Sequence, residues 1–323
     1  MSRLRLLQIC NVGEIVGGTA ACAWTVTRAL PEFGHVVAFL SNVSDETRRT
    51  FQDARVERWS ACSRRAVDAL RPDVVIAHNV GGRGLISGSA VTVQYVHSAG
   101  RRAPADVTVY CSRWLAAQMG GTAGDVLYQG VPRPVRTSRA VDRRGNRDGL
   151  VIGRICTPIA QKWPASIIPF YARLAERFPD VNWEFVGCPR RRWPELETAC
   201  RGRARFFRAS WHARRRLWKW DALLYHNPDV TESFGRTVAE SLRAGCVPIV
   251  DVRGGFVEQV TPATGVLCAS LEDFVAGIAR LQDYGVRRRM SAAAQADGER
   301  QFSIGAFRER LLGRIRLAAA KTG

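Results

Sequence analysis

The sequence lacks a continuous apolar run of about 18 residues, the length that a membrane-spanning helix needs. Its N-terminal segment, residues 1–10, starts with basic residues and a short apolar run. That run leads directly into a glycine-containing loop, with no cleavage site of small residues. We therefore interpret this segment as the first strand of a sheet, and we expect neither a spanning helix nor a secretory signal.

The nine cysteines are scattered, odd in number and never spaced as Cys-x-x-Cys. This pattern argues against a disulfide framework and a structural zinc site, and it indicates a reducing, cytoplasmic environment. The dinucleotide-binding pattern Gly-x-Gly-x-x-Gly is also missing, which disfavours NAD. The three lysines lie outside any context typical of a lysine that binds pyridoxal phosphate. We expect no bound cofactor and no metal site.

The net charge of +19 comes almost entirely from arginine. Frequent arginine, alanine and glycine are also the product of a GC-rich genome, so part of the charge has a compositional explanation. The basic residues are densest between positions 190 and 220, where they alternate with tryptophan. Such a segment can bind nucleic acid or a membrane surface. The alternative, which the sequence favours, is an ordinary helix with its arginines in water.

Strand patterns alternate with helix patterns along the chain, as in residues 6–9, 20–30, 35–40 and 64–70. This alternation predicts parallel, doubly wound sheets of the α/β class. A polar, basic stretch at 133–148 separates two halves, and the strand pattern restarts at 150. Because 323 residues exceed the usual size of one core, we predict domains at 1–140 and 141–303, followed by a terminal helix at 304–323.

Two glutamates, Glu232 and Glu240, lie eight residues apart around a predicted helix N-terminus. The helix is expected to open at Phe234-Gly235 and to end at Gly245. Backbone N–H groups of residues 234–237 would then favour an anion such as a diphosphate. The carboxylates themselves suit neutral hydroxyl groups, which nucleotide sugars contain in number.

This segment resembles the Glu-x7-Glu motif of retaining, nucleotide-sugar-dependent glycosyltransferases of family 4, which have the GT-B fold. Residues 225–228 resemble the strand and proline that precede the motif in that family. Gly254-Gly255-x-x-Glu258 resembles the family's Gly-Gly-x-x-Glu. The resemblance implies two Rossmann-like domains that face each other across a cleft. It also implies that the terminal helix crosses back to the N-terminal domain.

The same resemblance implies a set of site residues. Glu232 and His97 would act at the transferring sugar, and Glu240 would bind the ribose. Arg154 and Lys162 would hold the diphosphate, so that no metal is needed. The resemblance also implies retention of the anomeric configuration. Because the sequence shows no evident carboxylate nucleophile pair, we expect a front-face reaction in which the leaving phosphate acts as base. The further donor-site residues are Gly17, Gly18, Phe234, Gly235, Arg236 and Thr237.

The expected partners are a nucleotide-sugar donor and a small-molecule, glycan or natural-product acceptor. Contact with an anionic membrane from the cytoplasmic side is a second expectation, whereas nucleic acid is disfavoured. Two other functions remain open at this point. One is another GT-B enzyme, either a phosphorylase or a sugar-nucleotide epimerase. The other is a non-enzymatic basic protein that binds nucleic acid or a membrane surface.

Overall fold

A computed structural model describes residues 3–82, 90–100, 102–135 and 149–322. The chain divides into two compact units, Met1–Pro132 with Phe302–Gly323, and Arg133–Gln301. The predicted domain boundary at 140/141 lies outside the described residues. Each unit contains one six-stranded sheet, and every strand pairing in both sheets is parallel.

The sheet of the first unit has the strand order β3-β2-β1-β4-β5-β6. Its strands are β1 (Arg5–Cys10), β2 (Gly34–Phe39), β3 (Arg55–Arg58), β4 (Val74–His78), β5 (Val91–Val96) and β6 (Val107–Tyr110). Its helices are α1 (Gly18–Ala29), α2 (Asp45–Thr50), α3 (Arg64–Leu70) and α4 (Arg113–Gln118). The strand order reverses between β1 and β4, which places the open crevice of the sheet at the carboxyl ends of these strands.

The sheet of the second unit has the order β12-β11-β10-β7-β8-β9. Its strands are β7 (Val151–Ile155), β8 (Asn182–Val186), β9 (Ala204–Phe207), β10 (Ala222–Tyr225), β11 (Val247–Asp251) and β12 (Val266–Cys268). Its helices are α5 (Ile167–Arg177), α6 (Trp193–Ala199), α7 (Arg236–Ala244), α8 (Leu271–Gln282) and α9 (Tyr284–Phe302). Here the order reverses between β7 and β10. The predicted pair of doubly wound parallel sheets is therefore confirmed.

The chain returns to the first unit at its end. Helix α10 (Ile304–Thr322) packs on β5, β6 and α1. Phe307 and Leu311 of this helix are fully buried. Gly130 leaves room for Phe307, because an added Cβ at Gly130 would lie 2.6 Å from the Cβ atom of Phe307. The terminal helix is thus part of the core of the first unit.

The core of the second unit is rich in aromatic side chains. Trp163, Trp183 and Phe185 are at most 1% exposed. Trp183 and Phe185 pack on Tyr171, and Trp163 packs on Phe185. The ring centroids of Tyr171 and Phe185 lie 4.9 Å apart with nearly perpendicular planes, the edge-to-face arrangement that aromatic pairs prefer. No helix in the described part of the chain combines the length and apolar character that crossing a bilayer requires.

Gly153 of β7 tests how tightly this core is packed. An added Cβ at Gly153 would lie 2.1 Å from ring atoms of Trp220, which is fully buried. Trp220 has little freedom to move, since its Nε1 donates to Glu184 Oε2 at 2.7 Å. We expect Gly153→Ala to lower the free energy of unfolding by about 1–3 kcal/mol through overpacking.

Denaturant unfolding followed by circular dichroism measures this change. The matched control is Gly313→Ala, at an exposed position of α10 where an added Cβ meets nothing within 4 Å. That substitution should stabilise the helix by up to about 1 kcal/mol, because alanine is a better helix former than glycine. Equal stability of the Gly153 variant and the wild type would contradict the packing described for Trp220.

Candidate functional site

The crevice of the second sheet brings together two loops that the sequence had singled out. The loop after β7 ends in a 3₁₀ turn, Ala160–Lys162, and the loop after β10 contains Glu232. Ligands of open α/β sheets bind outside the carboxyl ends of the strands at the point where the strand order reverses. Residues from both loops therefore lie where this sheet is suited to bind a ligand.

Glu232 and Lys162 form an ion pair at this point. The Lys162 Nζ donates to Glu232 Oε1 at 2.6 Å, and the two side chains are 20% and 21% exposed. The hydroxyl of Tyr225, the last residue of β10, also donates to Glu232 Oε1. Burial raises the pKa of Tyr225 well above its usual value, so the hydroxyl stays protonated and can donate. The acid thus has one cationic and one neutral donor, and both charged groups remain accessible to a ligand.

The glycines of Gly254-Gly255 determine how the backbone passes Glu232. Gly254 has a left-handed φ of +60°, and an added Cβ there would lie 2.3 Å from the carbonyl oxygen of Glu232. An added Cβ at Gly255 would lie 2.5 Å from the carbonyl oxygen of Ser233. The N–H of Gly255 donates to the Glu232 carbonyl at 2.9 Å. Two residues without side chains are required because the backbones approach this closely.

A second set of contacts fixes the chain between β10 and Glu232. The Asp251 carboxylate accepts from the N–H of Asn227 at 2.9 Å and lies 2.7 Å from His226 Nδ1. The amide of Asn227 donates to the carbonyl of Gln161 at 2.9 Å. Asn227 therefore joins the Glu232 loop to the loop that contains Lys162. The sequence showed His226 and Asn227 only as part of the resemblance, and it did not indicate Asp251.

Helix α7 begins at Arg236, two residues after the predicted opening at Phe234. Gly235 precedes it with a φ of +80°, and an added Cβ there would lie 2.2 Å from the ring of Phe256. Phe234 is buried, and its carbonyl accepts from the Gln259 side chain. The first-turn N–H groups that can face an anion hence start with Arg236 and Thr237.

Glu240 lies inside α7 and is 2% exposed. Its Oε1 accepts from Arg236 Nε at 3.2 Å and from Arg214 Nε at 2.7 Å. The Arg214 guanidinium also lies over the ring of Trp211, 3.9 Å from its centroid. Sequence reasoning missed Arg214, because it stands in a basic stretch where nothing distinguishes it from its neighbours. Two cations thus hold the Glu240 carboxylate in a fixed position.

Arg154 was expected to hold a diphosphate. In the structure its side chain is fully buried and contacts the protein itself. Its guanidinium donates to the carbonyls of His226 at 2.5 Å and Lys162 at 2.7 Å, and it lies over the rings of Trp163 and Tyr225. In this structure Arg154 contacts the two loops of the site from beneath and presents no donor to solvent. Of the expected pair of cations, Lys162 is the one that a ligand can reach.

The remaining predicted residues, Gly17, Gly18 and His97, belong to the first unit. Gly17 is the N-cap of α1 and Gly18 its first residue, at the crevice of the first sheet. An added Cβ at Gly18 would meet nothing within 4 Å. Packing within the unit therefore does not explain the glycine at this position.

His97 is part of a buried chain of hydrogen bonds. Its Nδ1 lies 2.9 Å from Gln129 Nε2, and its Nε2 lies 3.0 Å from His78 Nδ1. His78 Nε2 lies 2.9 Å from Gln8 Oε1. Both ring nitrogens of His97 thus have partners inside the unit, so this residue belongs to a core network. The expected contact of His97 with a sugar would require one of these hydrogen bonds to break.

The protonation of this network follows from its burial. Complete burial lowers the pKa of His78 to about 3, so the ring is neutral near physiological pH. Among the described residues, Cys22, His78 and His97 form a group with ligand atoms close enough for a metal ion, all within 4.8 Å of one another. The nitrogens of both rings are already hydrogen-bonded, however, so we assign no metal to this group.

Comparisons with known proteins fit this architecture. No family model and no curated relative matches the sequence. HepE of Anabaena, solved with UDP-glucose, has a TM-score of 0.76 at 16% identity over 97% of this chain and 99% of its own. A glycosyltransferase from Rickettsia africae has a TM-score of 0.77 at 12% identity over 99% of both chains. AviGT4, a glycosyltransferase of avilamycin A biosynthesis, has a TM-score of 0.66 at 18% identity over 98% of both. The chain has the GT-B fold. Its two six-stranded sheets are the two Rossmann-like domains of that fold.

Arg154 offers a test of how the GT-B site is built. We expect Arg154→Lys to lower the free energy of unfolding of the ligand-free protein by about 2 kcal/mol or more, because lysine lacks the planar fork that serves two buried carbonyls. Urea unfolding without nucleotide measures this effect. A residue that only binds phosphate would tolerate lysine without loss of stability, so an unchanged midpoint would contradict the structural role.

Proposed function

We propose that the protein is a retaining glycosyltransferase of the family 4 type. It would transfer a sugar from a nucleotide-diphosphate sugar to a hydroxyl group of a small-molecule, glycan or natural-product acceptor in the cytoplasm. The observation that supports this most is the Lys162–Glu232–Tyr225 group at the crevice of a GT-B sheet, beside the N-terminus of α7. HepE, which shares the fold, has been solved with UDP and with UDP-glucose.

In this proposal the diphosphate of the donor binds Lys162 and the first-turn N–H groups of α7. Lys162 is paired with Glu232 at 2.6 Å. An incoming diphosphate competes with that carboxylate for the ammonium group and replaces one anionic partner by another. The lysine and the helix N-terminus together offset the negative charge of the leaving nucleotide, so the proposal needs no metal ion.

Once Lys162 contacts the diphosphate, Glu232 keeps the hydrogen bond from Tyr225 and gains acceptor capacity. A carboxylate in this position accepts hydrogen bonds from the neutral hydroxyls of the sugar. The glycines at 254 and 255 hold its backbone in place, which limits the movement of the carboxylate. Glu232 would therefore orient the sugar for cleavage of its bond to the diphosphate.

Glu240 would bind the ribose. Arg214 and Arg236 both contact its Oε1, so the carboxylate is fixed before any ligand arrives. In the proposal, Oε2 accepts from a ribose hydroxyl. A prepositioned acceptor loses little conformational freedom when the nucleotide binds, which favours affinity.

For the chemical step we propose a front-face reaction. The bond between the anomeric carbon and the diphosphate oxygen breaks, and the acceptor oxygen bonds to the same face of that carbon. The proton of the acceptor hydroxyl moves to the departing phosphate oxygen, which acts as the base. His97 has no proton-transfer step in this scheme, since both of its ring nitrogens are hydrogen-bonded within the first unit.

The ion pair also bears on an alternative enzyme of the same fold. A phosphorylase that depends on pyridoxal phosphate needs a lysine that is neutral when it forms a Schiff base, commonly through desolvation. Lys162 instead lies against a carboxylate and is partly exposed. The glycosyltransferase is therefore the better fit to this site.

Binding of a nucleoside diphosphate tests the donor site. We expect UDP or GDP to bind in the presence of a chelator, and Lys162→Ala to weaken that binding about ten- to a hundredfold, since a charged hydrogen bond is lost. Isothermal titration calorimetry measures both. Lys219→Ala is the matched control, because Lys219 is an exposed lysine of the same unit. Binding that requires added magnesium would refute the metal-independent site.

Substitution of Glu232 and substitution of Glu240 should change different kinetic constants. Glu232→Gln should lower kcat about ten- to a thousandfold, because a contact that positions the reacting sugar is lost. Glu240→Gln should mainly raise the KM for the donor, because ribose is bound equally in the ground and transition states. Steady-state kinetics with the donor found by titration distinguishes these outcomes. Near-wild-type constants for both variants, with unchanged melting temperatures, would show that the motif is assigned wrongly.

A further inference from the structure

The positive charge of the protein is concentrated in one segment. Residues 190–219, here called the basic band, contain eleven arginines and lysines but only two glutamates. Thirty of 323 residues thus hold a net charge of +9 out of +19. A genome-wide preference for arginine would spread the charge over the chain. Composition alone therefore does not account for the band.

The structure places the first part of the basic band, residues 190–208, along one edge of the second sheet. The band contains the 3₁₀ turn Arg190–Arg192, helix α6, strand β9 and the 3₁₀ turn Trp211–Trp218. Strand β9 is the last strand in the order of its sheet. The exposed cations of the band are Arg190, Arg191, Arg201, Arg203, Arg205, Arg208, Arg215 and Lys219. The six arginines from Arg190 to Arg208 lie in or beside α6 and β9 at this edge, whereas the turn Trp211–Trp218 packs on α7.

Three further arginines of the band are half-buried and have acidic partners. Arg192 pairs with Glu195 at 2.8 Å, Arg214 with Glu240 at 2.7 Å and Arg216 with Glu184 at 2.9 Å. Arg214 and Arg216 hold buried carboxylates in place, whereas Arg192 and Glu195 form a surface pair that contributes little to stability. The charge that projects into solvent comes from the other eight.

The aromatic residues of the band are already engaged inside the protein. The ring of Trp193 stacks on Phe206 with centroids 5.0 Å apart and also contacts Arg190. Arg214 lies over the ring of Trp211. None of the large apolar side chains that are exposed in the described residues belongs to the band. Proteins that bind single-stranded nucleic acid use aromatic rings on which bases stack, and this surface offers charge without such rings.

We propose that the basic band docks the protein on an anionic phospholipid surface. Clusters of four to eight exposed basic residues attract the negative headgroups of a bilayer, and each residue near the surface strengthens binding about fivefold. The edge strand β9 and the segments beside it can present several arginines to a plane at once. This inference rests on the distribution of charge and is independent of the proposed glycosyl transfer.

The test compares two triple variants of the full chain. In the first, Arg203, Arg205 and Arg208 of the band are replaced by serine. In the second, Arg280, Arg288 and Arg289 are replaced by serine; these are exposed arginines of α8 and α9 in the same unit. Both variants lose the same charge, so they differ only in where the charge is removed.

Binding is measured by flotation with vesicles of phosphatidylglycerol and phosphatidylcholine, and with pure phosphatidylcholine, at about 0.15 M salt. We expect the wild type to bind only the anionic vesicles. The first triple variant should bind them at least about tenfold more weakly, and the second should stay within about twofold of the wild type. Melting temperatures and UDP binding of all three proteins verify that the fold and the donor site are intact.

Three outcomes would overturn the proposal. The wild type could fail to bind anionic vesicles, or both triple variants could lose binding equally, which would indicate attraction by net charge alone. Double-stranded DNA at equal phosphate concentration could also displace the protein from vesicles, which would assign the surface to nucleic acid. The Lys162→Ala protein should keep its vesicle binding, so failure of the donor-site proposal is distinguishable from failure of this one.

Discussion

The guanidinium of Arg154 is a permanent positive charge with no exposed surface, and the candidate site is built around it. A buried charge is tolerated only when protein groups replace the water that it has lost. Here the carbonyls of Lys162 and His226 and the rings of Trp163 and Tyr225 supply that solvation. Both loops of the crevice are therefore drawn to one point, and the side chain of Lys162 meets Glu232 because its carbonyl is held there.

The rest of the site extends this constraint outward. Asn227 and Asp251 fix the path of the chain from β10 toward Glu232, and the glycines at 254 and 255 let two backbones pass within contact distance. Arg214 and Arg236 hold Glu240 in the same manner as Tyr225 and Lys162 hold Glu232. Each carboxylate thus has two donors that fix its position, and a fixed acceptor loses little conformational freedom when it binds a ligand.

The distribution of arginine illustrates two physical uses of one residue type. Arg154 and Arg214 act inside the fold, where a planar fork can serve two acceptors or lie on an aromatic face. The exposed arginines at the β9 edge contribute charge at a surface, where geometry matters less than number. A count of arginines along the chain does not distinguish the buried arginines from the exposed ones. The distinction requires the burial and the bonding partners of each side chain.

The sequence by itself determined the α/β class, the two parallel sheets and the position of the Glu-x7-Glu motif. These features depend on short-range periodicity and on spacing within one loop and helix, which the order of residues records directly. It also located Lys162 and Gly254-Gly255 near the site. Tertiary structure decided that Arg154 is buried, that His97 belongs to a hydrogen-bonded core, and that Arg214 and Tyr225 hold the two glutamates. These facts depend on contacts between residues far apart in the chain, such as Arg154 and His226. No local sequence pattern specifies which of two similar side chains will be buried in the core when the strands pair.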